Sequence, residues 1–206
     1  MGLKENELHS ISELHPNPFS EFSKWFTKAE TTDPDVVISM FLATVGDDGS
    51  PSGRVVLLKG FDQDGFRFFT NYESRKAKEL EKNNKASLVF SWPNLDLQVR
   101  IEGQAIKVSD RESDEYFASR PRGSQIGAWA SAQSQVIPSR EFLDKKVKEV
   151  EKKYENKEIP RPVFWGGYVV KPRIIEFMAR RDSRLHDRFR YKLSQSSQWD
   201  LERLSP

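Results

Sequence analysis

Residues 54–71, RVVLLKGFDQDGFRFFTN, contain the pattern that decides the fold. Two runs rich in β-branched and aromatic residues, at 54–59 and 66–71, flank the segment FDQDG at 61–65, whose Asp and Gly residues favour a tight turn. The pattern predicts two strands joined by a hairpin loop. Because a short hairpin can join only antiparallel strands, we expect an antiparallel sheet around this point.

The pattern on both sides of this hairpin predicts more strands and several helices. Further strands are predicted at 36–45, 85–92 and 97–108 and, shorter, near 164–170, 173–178 and 187–193. Helices are predicted at 19–29, 74–82, 111–119 and 124–131, and a longer one begins at Ser139. Sequential strands with scattered helices argue against a doubly wound sheet. They predict a mainly β fold with flanking helices, a closed or split antiparallel barrel in a single domain.

The composition limits the possible functions. The chain has 206 residues, a formal net charge of +2 and no cysteine, so disulfides and thiolate zinc sites are excluded. The near-neutral charge argues against a nucleic-acid-binding barrel, and three dispersed histidines make a poor metal site. No run approaches the about 18 apolar residues that a membrane span needs. We therefore expect a cytoplasmic protein with no metal, no nucleic-acid partner and no membrane contact.

The N-terminal residues differ from the rest of the chain. Residues 1–17 are mostly polar and lack the apolar segment of a signal peptide. We expect 1–17 to form a mobile arm, and 18–206 to form the single folded domain.

Two segments place pairs of cations at the start of predicted helices. Ser74 is followed by Arg75 and Lys76, which lie against the positive end of the helix dipole unless an anion binds there. The segment RPRGS at 120–124 precedes a second helix in the same way. Either segment could instead be a solvated basic surface. Together they suggest two phosphorylated molecules, or one molecule with two phosphates.

A third cationic segment, RLHDR, lies at 184–188. If it is extended, Arg184, His186 and Arg188 share one face and repel one another unless an anion or Asp187 offsets them. His186 could transfer a proton or could be structural.

Several motifs together carry a family resemblance. They are RVVLLKGFD at 54–62, FTNYESRKAKEL at 69–80, QVRIEG at 98–103, YFASRPRGSQIGAWAS at 116–131, WGGY at 165–168, RLHDR at 184–188 and the ending ERLSP at 202–206. In this order, the chain from about residue 18 to its end resembles the pyridoxine/pyridoxamine 5'-phosphate oxidases.

The resemblance implies a split β-barrel that forms a homodimer with FMN at the subunit interface. It implies oxidation of pyridoxamine 5'-phosphate and pyridoxine 5'-phosphate to pyridoxal 5'-phosphate, with dioxygen as the electron acceptor and hydrogen peroxide as a product. The alternative is a split-barrel flavoprotein that binds FMN or B6 phosphates without this oxidase activity.

The resemblance also assigns site residues. The expected FMN contacts are Arg54, Val55, Val56, Leu57, Leu58, Lys59, Phe69, Thr70, Arg75, Lys76, Gln98, Gln133, Ser134, Met178 and Arg188. The expected substrate contacts are Lys59, Tyr116, Arg120, Ser124, Arg184 and His186, of which the last two are also the expected catalytic residues.

The chain departs from the family pattern in two places. Met178-Ala179-Arg180 replaces the usual Trp-Gln-Gly, so that Met178 stands where the family has a flavin-contacting Trp. Residues 1–17 match poorly the basic arm that some members fold over the active site.

Overall fold

The structure, a computed structural model, describes residues 11–32 and 34–206. Its helices are α1 (Pro18–Thr32), α2 (Arg75–Lys82), α3 (Asp110–Ser119), α4 (Arg122–Ala130) and α5 (Arg140–Lys153), with short 3-10 turns at Ile11–Glu13, Pro93–Leu95 and Asp182–Arg184. Its strands are β1 (Ser39–Val45), β2 (Pro51–Leu57), β3 (Gly60–Asp62), β4 (Gly65–Asn71), β5 (Lys85–Trp92), β6 (Leu97–Lys107), β7 (Trp165–Ala179), β8 (Asp187–Leu193) and β9 (Trp199–Leu204).

The strands of the described residues form one antiparallel sheet in the order β2-β1-β5-β6-β7-β4-β3, with β8 and β9 branching from β7. Although β2 and β3 lie at opposite ends of this order, only two residues separate them in the chain. Leu58 donates its backbone N–H to Ile38 on the β1 side, and Lys59 donates its own to Arg67 on the β4 side. The sheet must therefore curl until its ends meet, which confirms the predicted mainly β split barrel with flanking helices.

The predicted hairpin is present but smaller than expected. β3 pairs with β4 around a turn at 63–64, whereas β2 turns away to pair with β1. Residues 54–57 are thus not the partner of the strand at 66–71, because their backbone pairs with β1 instead.

Helix α1 fills the barrel with aromatic rings. The Phe22 ring is fully buried and meets Phe61, Phe66 and Phe90 edge-on, with centroids 4.7, 4.9 and 5.1 Å away. This arrangement matches the apolar spacing that predicted a helix at 19–29. Edge-to-face contacts of this kind add to the free energy of burial.

Part of the predicted mobile arm packs against the sheet. Leu14 is buried, and the Tyr191 hydroxyl on β8 donates to the His15 carbonyl at 2.7 Å. Residues 1–10 lie outside the described residues, so the division into an arm at 1–17 and a domain at 18–206 stays a prediction.

The predicted strands near 164–170 and 173–178 are one strand, β7. Its first half pairs with β4 and its second half with β8, while β6 runs along both. Pro172 lies between the two halves, where its missing N–H removes no bond to β4 or β8. The register with β6 shifts at this point, since Glu102 pairs with Ile174 and Gly103 with Pro172, and a Cβ on Gly103 would come within 2.1 Å of the Lys171 carbonyl oxygen.

Strand β9 was not predicted. Among the described residues it pairs only with β8, at an edge of the sheet. Its residues WDLERL are all half-buried or exposed, so apolar and polar residues alternate weakly along it. An edge strand with so little buried surface leaves a faint apolar pattern in the sequence.

Candidate active site

The main candidate site is a cleft of about 480 Å³ between β2, β4 and the helices α2, α3 and α4. It brings together many of the predicted residues: Arg54, Val55, Val56, Leu57, Lys59, Phe69, Thr70, Lys76, Tyr116, Arg120, Ser124 and Gln133. Ser119, Pro121 and Trp165 also line it and were not predicted. Trp165 belongs to the WGGY motif, which could have indicated it.

Lys76 is the centre of the first cationic cluster. Its Nζ donates to Gln133 Oε1 at 2.9 Å, to Thr70 Oγ1 at 3.1 Å and to Ser74 Oγ at 3.3 Å. Ser74 is the N-cap residue of α2, but its hydroxyl accepts from Lys76 instead of capping a helix N–H. Burial, reinforced by the charge of Arg54, lowers the pKa of Lys76 to about 8. Such a lysine gains from a nearby anion, which would favour its charged form.

Arg54 and Arg75 complete this cluster, and both donate hydrogen bonds to the carboxylate of Glu79. The Glu79 carboxylate is buried, and burial alone would raise its pKa. Hydrogen bonds from Ser52, Thr44 and the two arginines outweigh burial and lower that pKa to about 2. Glu79 is therefore charged at physiological pH. Sequence reasoning missed it, because its spacing in SRKAKEL is that of an ordinary surface ion pair with Arg75.

Three predicted residues of this region lie beside the cleft instead of lining it. Arg75 and Ser134 border a neighbouring cleft of about 450 Å³, together with Glu79. Leu58 is buried in the core, and its backbone joins the two ends of the sheet.

Arg120 forms the second cationic site. Its guanidinium lies over the Trp165 ring, with 4.5 Å between the guanidinium carbon and the ring centroid. Its Nη1 is buried and has no hydrogen-bond partner among the described residues. Burial lowers the pKa of Arg120. Because an unpaired buried N–H of a cation is costly, an anion that enters the cleft would gain a hydrogen bond from this atom.

Aromatic rings form a wall of the cleft next to Arg120. Phe69 stacks on Tyr116 with centroids 3.9 Å apart, and Phe69 and Trp165 lie 5.6 Å apart in nearly parallel planes. The wall is flat, apolar and bordered by cations, which suits a planar anionic ligand.

The remaining predicted residues lie elsewhere on the chain. Gln98, Met178 and Arg188 form a row across β6, β7 and β8, since Gln98 pairs with Met178 and Met178 with Arg188. Arg184 and His186 lie in the connection between β7 and β8. None of these five residues is part of the cleft lining among the described residues. One chain therefore presents the predicted site in two separate parts.

The connection that carries Arg184 and His186 is held by Asp187. This carboxylate is buried and pairs with Arg181 and, at 2.6 Å, with Arg203. Ser183 and Arg184 have φ angles of 56° and 61°, a left-handed conformation that is uncommon outside glycine and indicates a constrained loop. The Arg181 N–H donates to His186 Nδ1 at 3.0 Å, so the neutral imidazole carries its proton on Nε2.

Two kinds of feature are absent from the part of the chain that the structure describes. No group of three or more histidine, aspartate or glutamate side chains is placed to hold a metal ion. No helix there combines the length and the apolar character that crossing a membrane requires.

Comparison with known families gives matches over most of the chain. Residues 37–154 match the family described as Pyridoxamine 5'-phosphate oxidase. Residues 165–206, which include Met178, Arg184, His186 and Arg188, match the Pyridoxine 5'-phosphate oxidase C-terminal dimerisation region.

Two relatives named pyridoxine/pyridoxamine 5'-phosphate oxidase are similar over almost their full length. The protein of Acaryochloris marina is 54% identical over 195 residues, which cover 95% of this chain and 89% of the relative. The protein of a Nostoc species is 52% identical over 205 residues, which cover 98% and 96%.

Solved structures show the same architecture. PhzG from Burkholderia lata, in complex with tetrahydrophenazine-1-carboxylic acid, superposes with a TM-score of 0.89 at 29% identity, over 98% of this chain and 100% of that one. An FMN-binding protein of Nostoc punctiforme superposes with a TM-score of 0.72 at 18% identity, over 90% and 97% of the two chains, and supports the fold alone. With about half of its residues identical to its relatives over nearly its whole length, the chain belongs to the pyridoxine/pyridoxamine 5'-phosphate oxidase family of FMN-binding split-barrel oxidoreductases.

Proposed function

We propose that this chain oxidises pyridoxamine 5'-phosphate and pyridoxine 5'-phosphate to pyridoxal 5'-phosphate, with dioxygen as the electron acceptor and hydrogen peroxide as a product. The observation that carries the proposal is the presence of two separate anion sites at one cleft. One is the cluster of Arg54 and Lys76, which line the cleft, with Arg75 beside them at the neighbouring cleft, and the other is Arg120, whose Nη1 is unpaired among the described residues. FMN and a B6 phosphate are two phosphorylated molecules that match two such sites.

The first cluster is the proposed site of the FMN phosphate. Arg75 and Lys76 would bind its oxygens, with Thr70 and Gln133 as hydrogen-bonding neighbours of Lys76. Strand β2 would lie along the flavin ring, since residues 54–57 line the cleft. When bound, FMN supplies the two-electron redox chemistry that the side chains lack.

The second site is the proposed cradle of the substrate phosphate. Arg120 would donate through its unpaired Nη1, and Lys59, Tyr116 and Ser124 line the same cleft. Fixing the phosphate here would orient the substrate ring against the flavin, and such positioning is a large part of the rate enhancement in enzymes of this kind.

The site would be completed by a second copy of the chain. Phe41, Val55 and Leu57 are 46, 65 and 44% exposed, and Phe41 pairs with Val55 on the outer face of the sheet. The row of Gln98, Met178 and Arg188 lies on the same face, so an isologous dimer could place it over the partner's cleft. The match of residues 165–206 to a dimerisation region supports this arrangement.

In that dimer, Arg184 and His186 would come from the partner subunit and cover the substrate ring. Because His186 Nδ1 already accepts a hydrogen bond from Arg181, its Nε2–H can donate to an oxygen of the substrate. His186 in this state orients the substrate and does not accept a proton through Nε2.

The proposal is tested by measuring peroxide and pyridoxal 5'-phosphate after the FMN-loaded protein is mixed with each B6 phosphate in air. Stoichiometric formation of both products is expected. An FMN-loaded dimer that forms neither would favour the alternative, a flavoprotein of this fold without the oxidase activity. Since Arg120 could equally bind a carboxylate, a reduced phenazine carboxylic acid, of the class bound by the PhzG neighbour, belongs in the same assay.

A further inference from the structure

Glu79 holds the arginines of the first cluster through a dense set of hydrogen bonds. Arg75 Nε donates to its Oε1 at 2.8 Å. Its Oε2 accepts from Thr44 Oγ1 at 2.5 Å, from Ser52 Oγ at 2.6 Å and from Arg54 Nη2 at 3.3 Å. One carboxylate of helix α2 thus joins side chains of β1, β2 and its own helix.

Arg54 is tied to this carboxylate by three routes. Besides the direct contact, its Nη2 donates to Ser52 Oγ at 2.6 Å and its Nη1 donates to Thr44 Oγ1, and both hydroxyls donate onward to Glu79. The side chains of Glu79 and Arg54 are only 8 and 20% exposed, so water competes little for these bonds. The Arg54 guanidinium is therefore fixed before any ligand arrives.

The charges of the cluster are also balanced for a phosphate. Arg54, Arg75 and Lys76 carry three positive charges and Glu79 one negative charge, and the difference is close to the charge of a phosphate monoester of about −2. Without Glu79, the two arginines that now share its carboxylate would repel each other.

We infer that Glu79 is a positioning residue for the flavin phosphate, which acts by holding Arg54 and Arg75 and does not touch the ligand. The inference rests on the proposed function, because it takes this cluster as the FMN phosphate site.

A positioning role and a purely electrostatic role predict opposite results. If Glu79 affected FMN only through its charge, Glu79→Gln would remove a negative charge near the phosphate, and FMN would bind more tightly. If Glu79 positions the arginines, the same change frees them, and FMN binds more weakly. Riboflavin, which lacks the phosphate, should be unaffected in the second case.

The experiment compares the Kd of FMN and of riboflavin for the apoprotein, from quenching of flavin fluorescence. We expect Glu79→Gln to raise the Kd of FMN about tenfold, as for a lost hydrogen bond to a charged group, and to leave the Kd of riboflavin unchanged. Glu112→Gln is the matched control. Glu112 also pairs with an arginine, Arg67, at an N–O distance of 2.9 Å, but neither residue lines the cleft. This variant should change neither Kd.

Two further variants make the result decisive. Ser52→Ala removes one link between Arg54 and Glu79 with little change in the core, and it should raise the Kd of FMN in the same direction even if Glu79→Gln fails to fold. Arg75→Ala tests the proposed phosphate site itself. The positioning role is wrong if Arg75→Ala weakens FMN binding but Glu79→Gln and Ser52→Ala do not. It is also wrong if Glu79→Gln and Ser52→Ala weaken the binding of FMN and of riboflavin equally. If Arg75→Ala also leaves FMN binding unchanged, the phosphate site is wrong as well.

Discussion

The guanidinium carbon of Arg120 lies 4.5 Å from the centroid of the Trp165 ring. Arg120 follows the last residue of α3, and Trp165 begins β7. The ring supports one face of the cation, while the buried Nη1 remains without a partner among the described residues. The ring holds the cation in place, and the cation keeps one free N–H donor, so the site is preorganised for an anion.

The first prediction separates the two anion sites. Arg120→Ala should raise the KM of pyridoxamine 5'-phosphate by about 10- to 150-fold, because a charge-assisted hydrogen bond is worth roughly 1.5–3 kcal/mol, and should leave the Kd of FMN unchanged. Arg75→Ala should have the reverse pattern. Steady-state kinetics and flavin titration measure the two constants. Two variants that both alter the same constant would show that the sites are not separate.

The second prediction concerns the pH dependence of FMN binding. The pKa of Lys76 is lowered to about 8, by burial and by Arg54, while Glu79 opposes the shift. A bound phosphate favours the charged amine, so the pKa of Lys76 rises in the complex. FMN affinity should therefore be constant between about pH 7 and about pH 8, where the phosphate is already a dianion, and fall above it, by up to about tenfold per pH unit.

The control for this prediction is Lys76→Arg, which keeps the positive charge at high pH. Its Kd for FMN should vary little between about pH 7 and about pH 10, since arginine does not titrate there. If the wild-type Kd is equally constant over this range, the binding of the FMN phosphate does not depend on the charge of Lys76.

The third prediction is that each active site uses residues of both subunits. At substrate concentrations below the wild-type KM, Arg120→Ala and Arg184→Ala homodimers should each be nearly inactive. When the two are unfolded together and refolded as a mixture, half of the dimers are mixed, and each mixed dimer regains one intact site. Activity should then recover to about one quarter of the wild type. If the mixed dimers bind FMN but regain no activity, Arg120 and Arg184 belong to a site within one subunit.

The fourth prediction concerns Met178, which is half-buried in the row with Gln98 and Arg188. A Trp at this position would present a rigid ring and an N–H donor, whereas Met is flexible and lacks the donor. Met178→Trp should tighten FMN binding by about 2- to 10-fold and speed turnover, because the ring position is better defined. Met178→Leu, an apolar residue without a ring, should change little. Unchanged or poorer activity of Met178→Trp would mean that the neighbouring residues compensate for the Met.

Much of the fold could be predicted from local patterns. The apolar spacing of α1 matches its burial, and the turn at 61–65 marks the β3–β4 hairpin. The prediction failed where pairing depends on distant strands. The strands predicted separately near 164–170 and 173–178 are one strand, because β6 pairs along both and makes β7 continuous.

The candidate site, like the fold, could be predicted only where it depends on local sequence. Residue types alone indicated anion binding at Arg75, Lys76 and Arg120, because cations at helix starts and in a Gly-containing loop conflict with local electrostatics unless an anion is bound. Glu79 could not be singled out from sequence. Within its helix it is an ordinary i,i+4 partner of Arg75, and it becomes a buried junction only because β1 and β2 bring Thr44, Ser52 and Arg54 to it. Local sequence thus determined which residues carry charge, while the curling of the sheet decided which of them share a carboxylate, since burial and distance arise only when remote strands meet.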